Sequence, residues 1–307
     1  MDVVLHLGML AVGLFLLAKG SDIFIDGAAA VGKATGASEH TIGLTIVAFA
    51  TSLPELAVSS LAAFQGQAGI SVGNIVGSNI TNITLILGIS ALIMSLYATR
   101  ESRRDSVLML GVTLLLIGTL VLDKRIDIYD GTLYLALYGG FLYYWWRTHR
   151  RERPVEVPDV QQEGLLKNAV LLVVGAGAVV GGAHLTVNAA VDVAGVLGIS
   201  DTVIGLSMVA FGTSLPELAS SVAAALKQSH GIAVGNIIGS NIINILLALG
   251  ISGVIRPIVV DEKMLFMLPF LLLVSVVLTV FARRRMKIQH GAVLLALYAG
   301  FIVLLLL

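Results

Sequence analysis

Two glutamates lie directly after prolines inside long apolar segments. Glu55 follows Pro54 in FATSLPEL, and Glu217 follows Pro216 in FGTSLPEL. Because proline lacks an N–H and crowds the carbonyl one turn earlier, each motif predicts a broken helix, with the carbonyls of residues 48–51 freed in the first. Inside a membrane, such carbonyls are tolerated only where protein groups, water or an ion satisfy them.

Each carboxylate also needs a partner. Its burial in a membrane costs about 2.5–3.5 kcal/mol on insertion scales, and neither segment contains a Lys or Arg that would form an ion pair with it. A bound cation or a proton is the remaining partner. Helical spacing puts two hydroxyl groups of each motif near its glutamate; they belong to Thr51, Ser52, Thr213 and Ser214. Hydroxyl, carboxylate and carbonyl oxygens are the ligands that Ca²⁺ and Na⁺ prefer, so the motifs predict a cation site.

A second pair of motifs, GNIVGSNITN and GNIIGSNIIN, adds polar groups without charge. Each places two asparagines and a serine on one helix face at four-residue spacing; they are Asn74, Ser78 and Asn82, and Asn236, Ser240 and Asn244. We favour ion binding for Ser78, Ser240, Asn82 and Asn244. For Asn79 and Asn241, ion binding and hydrogen bonding between helices are equally compatible with the sequence. Glycines four residues apart predict a close approach of each helix to another; they are Gly73 and Gly77, and Gly235 and Gly239.

The composition excludes an ordinary soluble fold. Hydrophobic residues make up 57% of the 307 positions and charged residues only 12%, about half the share usual in soluble domains. Apolar stretches close to the roughly twenty residues that cross a bilayer recur along the chain, so we predict ten transmembrane spans. The sequence contains no cysteine, which excludes disulfides and thiol metal sites. No His/Glu or Ser/His arrangement indicates hydrolysis, and we expect neither an enzyme nor a cofactor.

The motifs belong to an internal repeat. Residues 43–88 and 205–250 are identical at 30 of 46 positions without a gap, and DGTLYLALYGGF from Asp130 matches HGAVLLALYAGF from His290. Five predicted spans per half is an odd number, so the second half enters the membrane with the opposite orientation. Inverted repeats place substrate sites near the bilayer midplane and supply two conformations open to opposite sides. We therefore expect alternating access.

Basic residues indicate the orientation of the predicted spans. Fourteen Lys and Arg residues fall on one side of the ten-span arrangement and four on the other, and the positive-inside rule makes the richer side cytoplasmic. Both termini are then extracellular, in a multi-pass protein of the plasma membrane. We predict a first five-helix repeat at residues 1–147, a cytoplasmic linker at 148–164, and a second, inverted repeat at 165–307.

The doubled motifs resemble the α-repeats of the calcium/cation antiporter superfamily, specifically its sodium/calcium exchanger branch of prokaryotic type. The resemblance runs along nearly the whole chain. It implies an all-α membrane protein of ten transmembrane helices in two inverted five-helix repeats, with broken helices at the ion site, that exchanges Na⁺ for Ca²⁺. It also implies Glu55 and Glu217 as the carboxylates that both ions share. The further ligands it implies are Asn82, the hydroxyls of Thr51, Ser52, Ser78, Thr213, Ser214 and Ser240, and the carbonyls of Ala48 and Ala210.

Two departures from the family pattern refine this expectation. Ala50 stands where the first motif commonly has glycine, and Asn244 stands where potassium-dependent relatives carry aspartate. Asn244 argues against K⁺ co-transport and leaves two carboxylates in the core, enough to neutralise one Ca²⁺ but not three Na⁺. Exchange is then expected to be electrogenic. A Ca²⁺/H⁺ exchanger that uses the same glutamates and a passive cation channel are the alternatives. Besides Ca²⁺, Na⁺ and the bilayer we expect no partner such as nucleic acid, and the sequence indicates no oligomeric state.

Overall fold

The computed structural model describes residues 3–32, 44, 47–97, 99–149, 165–283 and 285–306. Apart from its first two residues, the predicted linker lies outside the described residues.

Helices account for nearly all of the described first half. They are α1 (Val3–Gly32), α2 (Ala48–Thr51), α3 (Leu53–Gln65), α4 (Ala68–Thr81), the π-helical turn π1 (Asn82–Ile86), α5 (Leu87–Ile93), α6 (Arg100–Asp123) and α7 (Ile128–His149). Two short strands, β1 (Leu96–Tyr97) and β2 (Arg125–Ile126), flank α6.

The second half repeats this order. Its elements are α8 (Leu165–Leu197), α9 (Asp201–Ile204), the turn π2 (Gly205–Val209), α10 (Ala210–Thr213), α11 (Leu215–Leu226), α12 (His230–Ile243), the turn π3 (Asn244–Ala248), α13 (Leu249–Ile255), β3 (Ile258–Val259), α14 (Glu262–Phe281), β4 (Arg285–Met286) and α15 (Ile288–Leu306).

The helices are apolar and long, as a membrane protein requires. Within the described residues, six helical segments have the length and hydropathy to cross a bilayer, and a seventh is added if the bent pair 201–213 and 215–226 counts as one span. The prediction of an all-α membrane protein is confirmed. The number of ten spans stays a prediction.

Both proline motifs break their helices as predicted. Each proline lies in the first turn of a new helix, where its missing N–H removes no helical hydrogen bond. Ser52 and Ser214 join the two helices in each half, with ψ angles of 4° and 6° instead of the helical value. In the second half the axis bends by 44° at this point. In each half, the turn that carries the hydroxyl groups and the turn that carries the glutamate therefore meet at the helix break.

The prediction that the Ala48 carbonyl is freed by the break is wrong. Ala48 O accepts the Ser52 N–H at 3.0 Å, and Ala210 O accepts the Ser214 N–H at 3.1 Å. The reason is that Pro54 lacks the N–H that would bond four residues back, at position 50, and leaves the earlier bond intact. A carbonyl oxygen has two lone pairs, so both carbonyls keep one acceptor position.

Glycines bring the central helices of the two halves into backbone contact. A Cβ atom at Gly77 would overlap the carbonyl oxygen of Leu206, and one at Gly239 would overlap that of Leu44. A Cβ at Gly73 would lie 2.9 Å from the Thr202 carbonyl oxygen. The predicted close approach is confirmed at these three glycines, and it lets α4 and α12 pack against the broken segments of the opposite half.

The halves exchange contacts in matched pairs. Helix α5 contacts α15 while α13 contacts α7, and α11 contacts π1 while α3 contacts π3. Two antiparallel ribbons, β1 with β4 and β2 with β3, also join the halves. The hydroxyls of Thr113 and Ser275, which occupy equivalent positions of the repeat, lie 3.4 Å apart. The carboxylate motifs of both halves are therefore positioned by elements of the other half.

Candidate cation site

The two glutamates are fully buried and bonded across the halves. Both Glu55 and Glu217 have no exposed surface. The Ser214 hydroxyl donates to Glu55 Oε1 at 2.9 Å, and the Ser52 hydroxyl donates to Glu217 Oε1 at 3.0 Å. Each carboxylate is thus held by the serine at the helix break of the opposite half. The remaining oxygen of each, Oε2, is buried without a hydrogen-bond partner.

The threonines of the proline motifs also bond to the opposite half. Thr213 Oγ1 donates to Asn74 Oδ1 at 2.9 Å, and Thr51 Oγ1 donates to Asn236 Oδ1 at 3.3 Å. The Asn74 amide in turn donates to the backbone carbonyl of Glu55 at 3.3 Å. Asn74 and Asn236 therefore tie each broken helix to the glycine-rich helix that faces it.

The two serines of the second motifs have different partners. Ser78 Oγ donates to the Ala210 carbonyl at 3.3 Å and lies 3.4 Å from Thr213 Oγ1. Ser240 Oγ instead donates to Glu217 Oε1 at 3.3 Å. The hydroxyls of Ser78 and Ser240 therefore lie beside the two broken helices, one at a backbone carbonyl and the other at a carboxylate.

Asparagines supply two further oxygens without a donor. Asn82 and Asn244 begin the turns π1 and π3, and neither side chain is exposed. Their amide nitrogens donate to Asn241 Oδ1 at 3.1 Å and to Asn79 Oδ1 at 3.0 Å, respectively. Their own Oδ1 atoms are buried without a partner. Short π-helical turns occur frequently at functional sites, and π1 and π3 start at the residues that carry the free oxygens.

Each of four buried oxygen atoms is an acceptor that a cation would satisfy. Four buried acceptors, the Oε2 atoms of Glu55 and Glu217 and the Oδ1 atoms of Asn82 and Asn244, lack donors. Leaving a buried acceptor unsatisfied costs about 1–3 kcal/mol, and more for a charged group. Carboxylate and amide oxygens are the ligands of Ca²⁺ and Na⁺. Because all four atoms are carboxylate or amide oxygens, the donor set is that of a hard cation rather than a transition metal. Among the described residues, no group of three or more His, Cys, Asp or Glu side chains lies together.

All of the predicted site residues are buried and belong to these hydrogen bonds: Ala48, Thr51, Ser52, Glu55, Ser78, Asn82, Ala210, Thr213, Ser214, Glu217, Ser240 and Asn244. The predicted ion ligands did not include Asn74 and Asn236, which hold the threonines, or Ser59 and Ser221, which accept from these two amides at 3.0 Å. The repeat contains a signal for them, because both pairs are identical in the two halves.

Comparison with known proteins identifies the family. The sequence matches the family model described as sodium/calcium exchanger protein over residues 5–147 and 167–307. The chain belongs to the sodium/calcium exchanger family. It is 34% identical to the sodium/calcium exchanger MaX1 of Methanosarcina acetivorans, with 97% of each chain covered. It is also 34% identical to the inner membrane protein YrbG of Escherichia coli, covering 96% of this chain and 94% of that one.

Similarity to a solved structure supports this family assignment. A structure of the sodium-calcium exchanger NCX_Mj, soaked with Na⁺ and Sr²⁺, superposes with a TM-score of 0.72 at 33% identity and covers 98% of this chain and 99% of that one. Members of the sodium/calcium exchanger family are membrane transporters, and the relatives named here as exchangers are not enzymes. The predicted resemblance is confirmed, and the chain is a multi-pass membrane transporter.

Proposed function

We propose that this protein is an antiporter that exchanges Na⁺ for Ca²⁺ by alternating access, without K⁺ and with net movement of charge. The observation that carries the proposal is the set of four buried, donor-free oxygens on Glu55, Glu217, Asn82 and Asn244. Two are carboxylate and two are amide oxygens, so the site offers up to two negative charges in a surrounding of hydroxyls and carbonyls. That charge matches one Ca²⁺.

The same atoms explain competition between the two ions. Ca²⁺ and Na⁺ both require the carboxylates, so loading with one ion excludes full loading with the other. Coupled exchange follows when only the loaded site changes its accessibility. Binding of K⁺ together with Ca²⁺ would require a further negative charge, and the neutral amide of Asn244 does not supply it. No transported ion acts here as a resident cofactor.

We propose the ligand set from the sequence prediction together with these hydrogen bonds. The carboxylates are the shared ligands, and the amide oxygens of Asn82 and Asn244 complete the central position. The flanking ligands are the hydroxyls of Thr51, Ser52, Ser78, Thr213, Ser214 and Ser240 and the carbonyls of Ala48 and Ala210.

Alternating access requires two equivalent conformations. The proposed ten helices form two inverted five-helix repeats, so the second conformation is obtained when each half adopts the arrangement of the other. The matched contacts between the halves support this proposal, because the contacts of α5 with α15 and of α3 with π3 are repeated by those of α13 with α7 and of α11 with π1.

The proposed orientation has both termini outside and the linker in the cytoplasm. The ribbon of β2 and β3 brings Arg125 next to Val259, and Lys124 Nζ lies 3.9 Å from Glu262 Oε1. The ribbon of β1 and β4 brings Tyr97 next to Arg285. Each ribbon therefore joins two connections that the sequence assigns to the same side of the membrane, which supports the assignment.

A flux assay tests the proposal. Purified protein in liposomes is loaded with Na⁺ and diluted into Na⁺-free medium containing ⁴⁵Ca²⁺, and an equal set of liposomes carries a pH gradient instead. We expect the Na⁺ gradient alone to drive uptake. Uptake driven only by the pH gradient would identify a Ca²⁺/H⁺ exchanger, and uptake without either gradient would identify a channel.

A further inference from the structure

Four asparagine side chains form two hydrogen-bonded relays where α4 and π1 meet α12 and π3. In the first relay, Asn244 Nδ2 donates to Asn79 Oδ1 at 3.0 Å, and Asn79 Nδ2 donates to the backbone carbonyl of Asn241 at 3.3 Å. In the second, Asn82 Nδ2 donates to Asn241 Oδ1 at 3.1 Å, and Asn241 Nδ2 donates to Met109 Sδ at 3.6 Å. All five side chains are buried.

The first relay determines which way the Asn244 amide faces. A carboxamide accepts at one end and donates at the other, whereas a backbone carbonyl only accepts. The carbonyl of Asn241 therefore requires the NH₂ group of Asn79, so Asn79 turns its oxygen to Asn244. Asn244 must then turn its own NH₂ group to Asn79. Its Oδ1 consequently points away from the relay, where it is buried without a donor.

The second relay orients its amides in the same way, but it ends on a weaker acceptor. The thioether of Met109 also only accepts, so it requires the NH₂ group of Asn241. Asn241 then offers its oxygen to Asn82, and the Asn82 Oδ1 is left free. In the repeat, position 109 corresponds to Leu271, so the two relays end on different acceptors, a backbone carbonyl and a sulfur atom.

We propose that Asn79 and Asn241 are positioning residues that hold the amides of Asn82 and Asn244 with their carbonyl oxygens toward the transported cation. The proposal rests on the proposed function of this site. A reversed amide would direct N–H groups at a cation, so orientation decides whether each asparagine attracts or repels the ion. Residues that orient a ligand change metal affinity about 10- to 100-fold when they are replaced.

The test measures equilibrium binding of ⁴⁵Ca²⁺ to the purified full-length protein. We expect Asn79→Leu to weaken Ca²⁺ binding about 10- to 100-fold. Asn244→Asp should remove this effect, because both atoms of a carboxylate accept and no orientation has to be imposed. The double variant Asn79→Leu/Asn244→Asp should then bind Ca²⁺ within about twofold of Asn244→Asp alone, the scatter expected for independent sites.

A second variant keeps the test decisive if Asn79→Leu does not fold. Met109→Leu conserves volume and removes the terminal acceptor, so it should weaken Ca²⁺ binding about 2- to 10-fold, the value of one neutral hydrogen bond. Asn82→Asp should cancel that loss. The matched control is Met267→Leu, a buried methionine outside the relays, which should leave binding unchanged.

The outcomes separate this inference from the proposed function. If the unaltered protein binds no Ca²⁺, both the proposed function and this inference are wrong. If the unaltered protein binds Ca²⁺ and both Asn79→Leu and Met109→Leu bind it equally well, only the inference is overturned. An equal loss for Asn79→Leu with and without Asn244→Asp also overturns it, because a general structural defect would not depend on position 244.

Discussion

Each glutamate at the site has one oxygen that accepts a serine hydroxyl and one that accepts nothing. One serine at each carboxylate, Ser214 or Ser52, comes from the other half, and Glu217 also accepts from Ser240 of its own half. The opposite repeat therefore helps to set the direction of each free oxygen. In the proposed function the two carboxylates share one divalent ion, and neither has an Arg or Lys partner in the described network. A built-in cation would compete with the transported one.

We predict that Glu55→Gln and Glu217→Gln each reduce Ca²⁺ uptake at least about 100-fold, because removing one charge leaves a divalent ion half-neutralised in a buried site, an imbalance that costs about 3–5 kcal/mol. The measurement is Na⁺-driven ⁴⁵Ca²⁺ uptake in proteoliposomes, with protein amount checked by immunoblot. Glu262→Gln serves as the matched control, since its side chain is 95% exposed, and it should transport normally. Vigorous exchange by either buried-site variant would remove that glutamate from the ion pathway.

The second prediction at the residue scale concerns Asn244 and the requirement for K⁺. Because Asn244 contributes a neutral amide, we expect Ca²⁺ uptake to be unchanged when all K⁺ is replaced by choline. The Asn244→Asp variant supplies a third carboxylate and is the informative comparison, since any stimulation by K⁺ should appear only there. Loss of uptake by the unaltered protein in choline would show that K⁺ is required and that the charge argument is incomplete.

At the scale of elements, the sequence predicted the features that depend on local chemistry. The proline breaks, the close approach at Gly77 and the burial of Glu55 and Glu217 follow from residue types and spacing. The carbonyl of Ala48 was misassigned, because the rule locates the lost hydrogen bond four residues before the proline and not six. The π-helical turns at Asn82 and Asn244 and the strand ribbons were not anticipated.

The missed features share a physical cause. A π-helical turn and a two-residue strand are stabilised by packing and pairing with the other half, and no local propensity encodes them. The cross-half bonds, such as Ser214 to Glu55 at 2.9 Å, likewise depend on how two distant segments meet. Repetition in a sequence shows that two segments are equivalent, but it does not show which atoms of one face the other.

A prediction about packing follows from the glycines. Replacing Gly77 by Ala should destabilise the protein by about 1–3 kcal/mol, the usual cost of overpacking, because the new Cβ would overlap the Leu206 carbonyl and contact Ala210. The measurement is the thermal unfolding midpoint of the purified protein in detergent. Gly111→Ala is the control, as nothing lies within 4 Å of a Cβ there. Equal midpoints for the two variants would mean that α4 does not approach π2 as closely as described.

At the scale of the whole molecule, each of the two ribbons joins connections that the sequence assigns to one side of the membrane, and the two ribbons are assigned to opposite sides. One joins residues 96–97 to 285–286 and the other joins 125–126 to 258–259. The four two-residue strands lie beside the ends of the long helices α6 and α14. Each ribbon thus ties one connection of the first half to one of the second half.

The ribbons make the orientation testable. The chain contains no cysteine, so single cysteines at Arg103, Lys287 and Lys124 report without background. We expect the first two to react with an impermeant maleimide only when the cytoplasmic face is open, and Lys124→Cys to react from the external face of intact cells. All three side chains are exposed, so a lack of labelling would not arise from burial. Reaction of Lys124→Cys and Arg103→Cys from the same face would contradict the ten-span arrangement.

The last prediction concerns the charge that one transport cycle moves. With two carboxylates, the site loaded with Ca²⁺ is neutral and the site loaded with three Na⁺, the number that the family resemblance implies, carries one positive charge. Moving one elementary charge through 100 mV is worth about 2.3 kcal/mol. In Na⁺-loaded vesicles, each Ca²⁺ that enters is exchanged for three Na⁺ that leave, so positive charge moves outward and an inside-positive potential accelerates uptake.

The potential is imposed with valinomycin and K⁺ gradients at fixed Na⁺ and Ca²⁺. High external K⁺ makes the interior positive and should raise the initial rate of ⁴⁵Ca²⁺ uptake, whereas high internal K⁺ should lower it. The same gradients without valinomycin control for K⁺ itself, and vesicles with Glu217→Gln protein control for leak. A rate that ignores the imposed potential would mean that two Na⁺ balance each Ca²⁺, so that the carboxylates of Glu55 and Glu217 neutralise both loaded states equally.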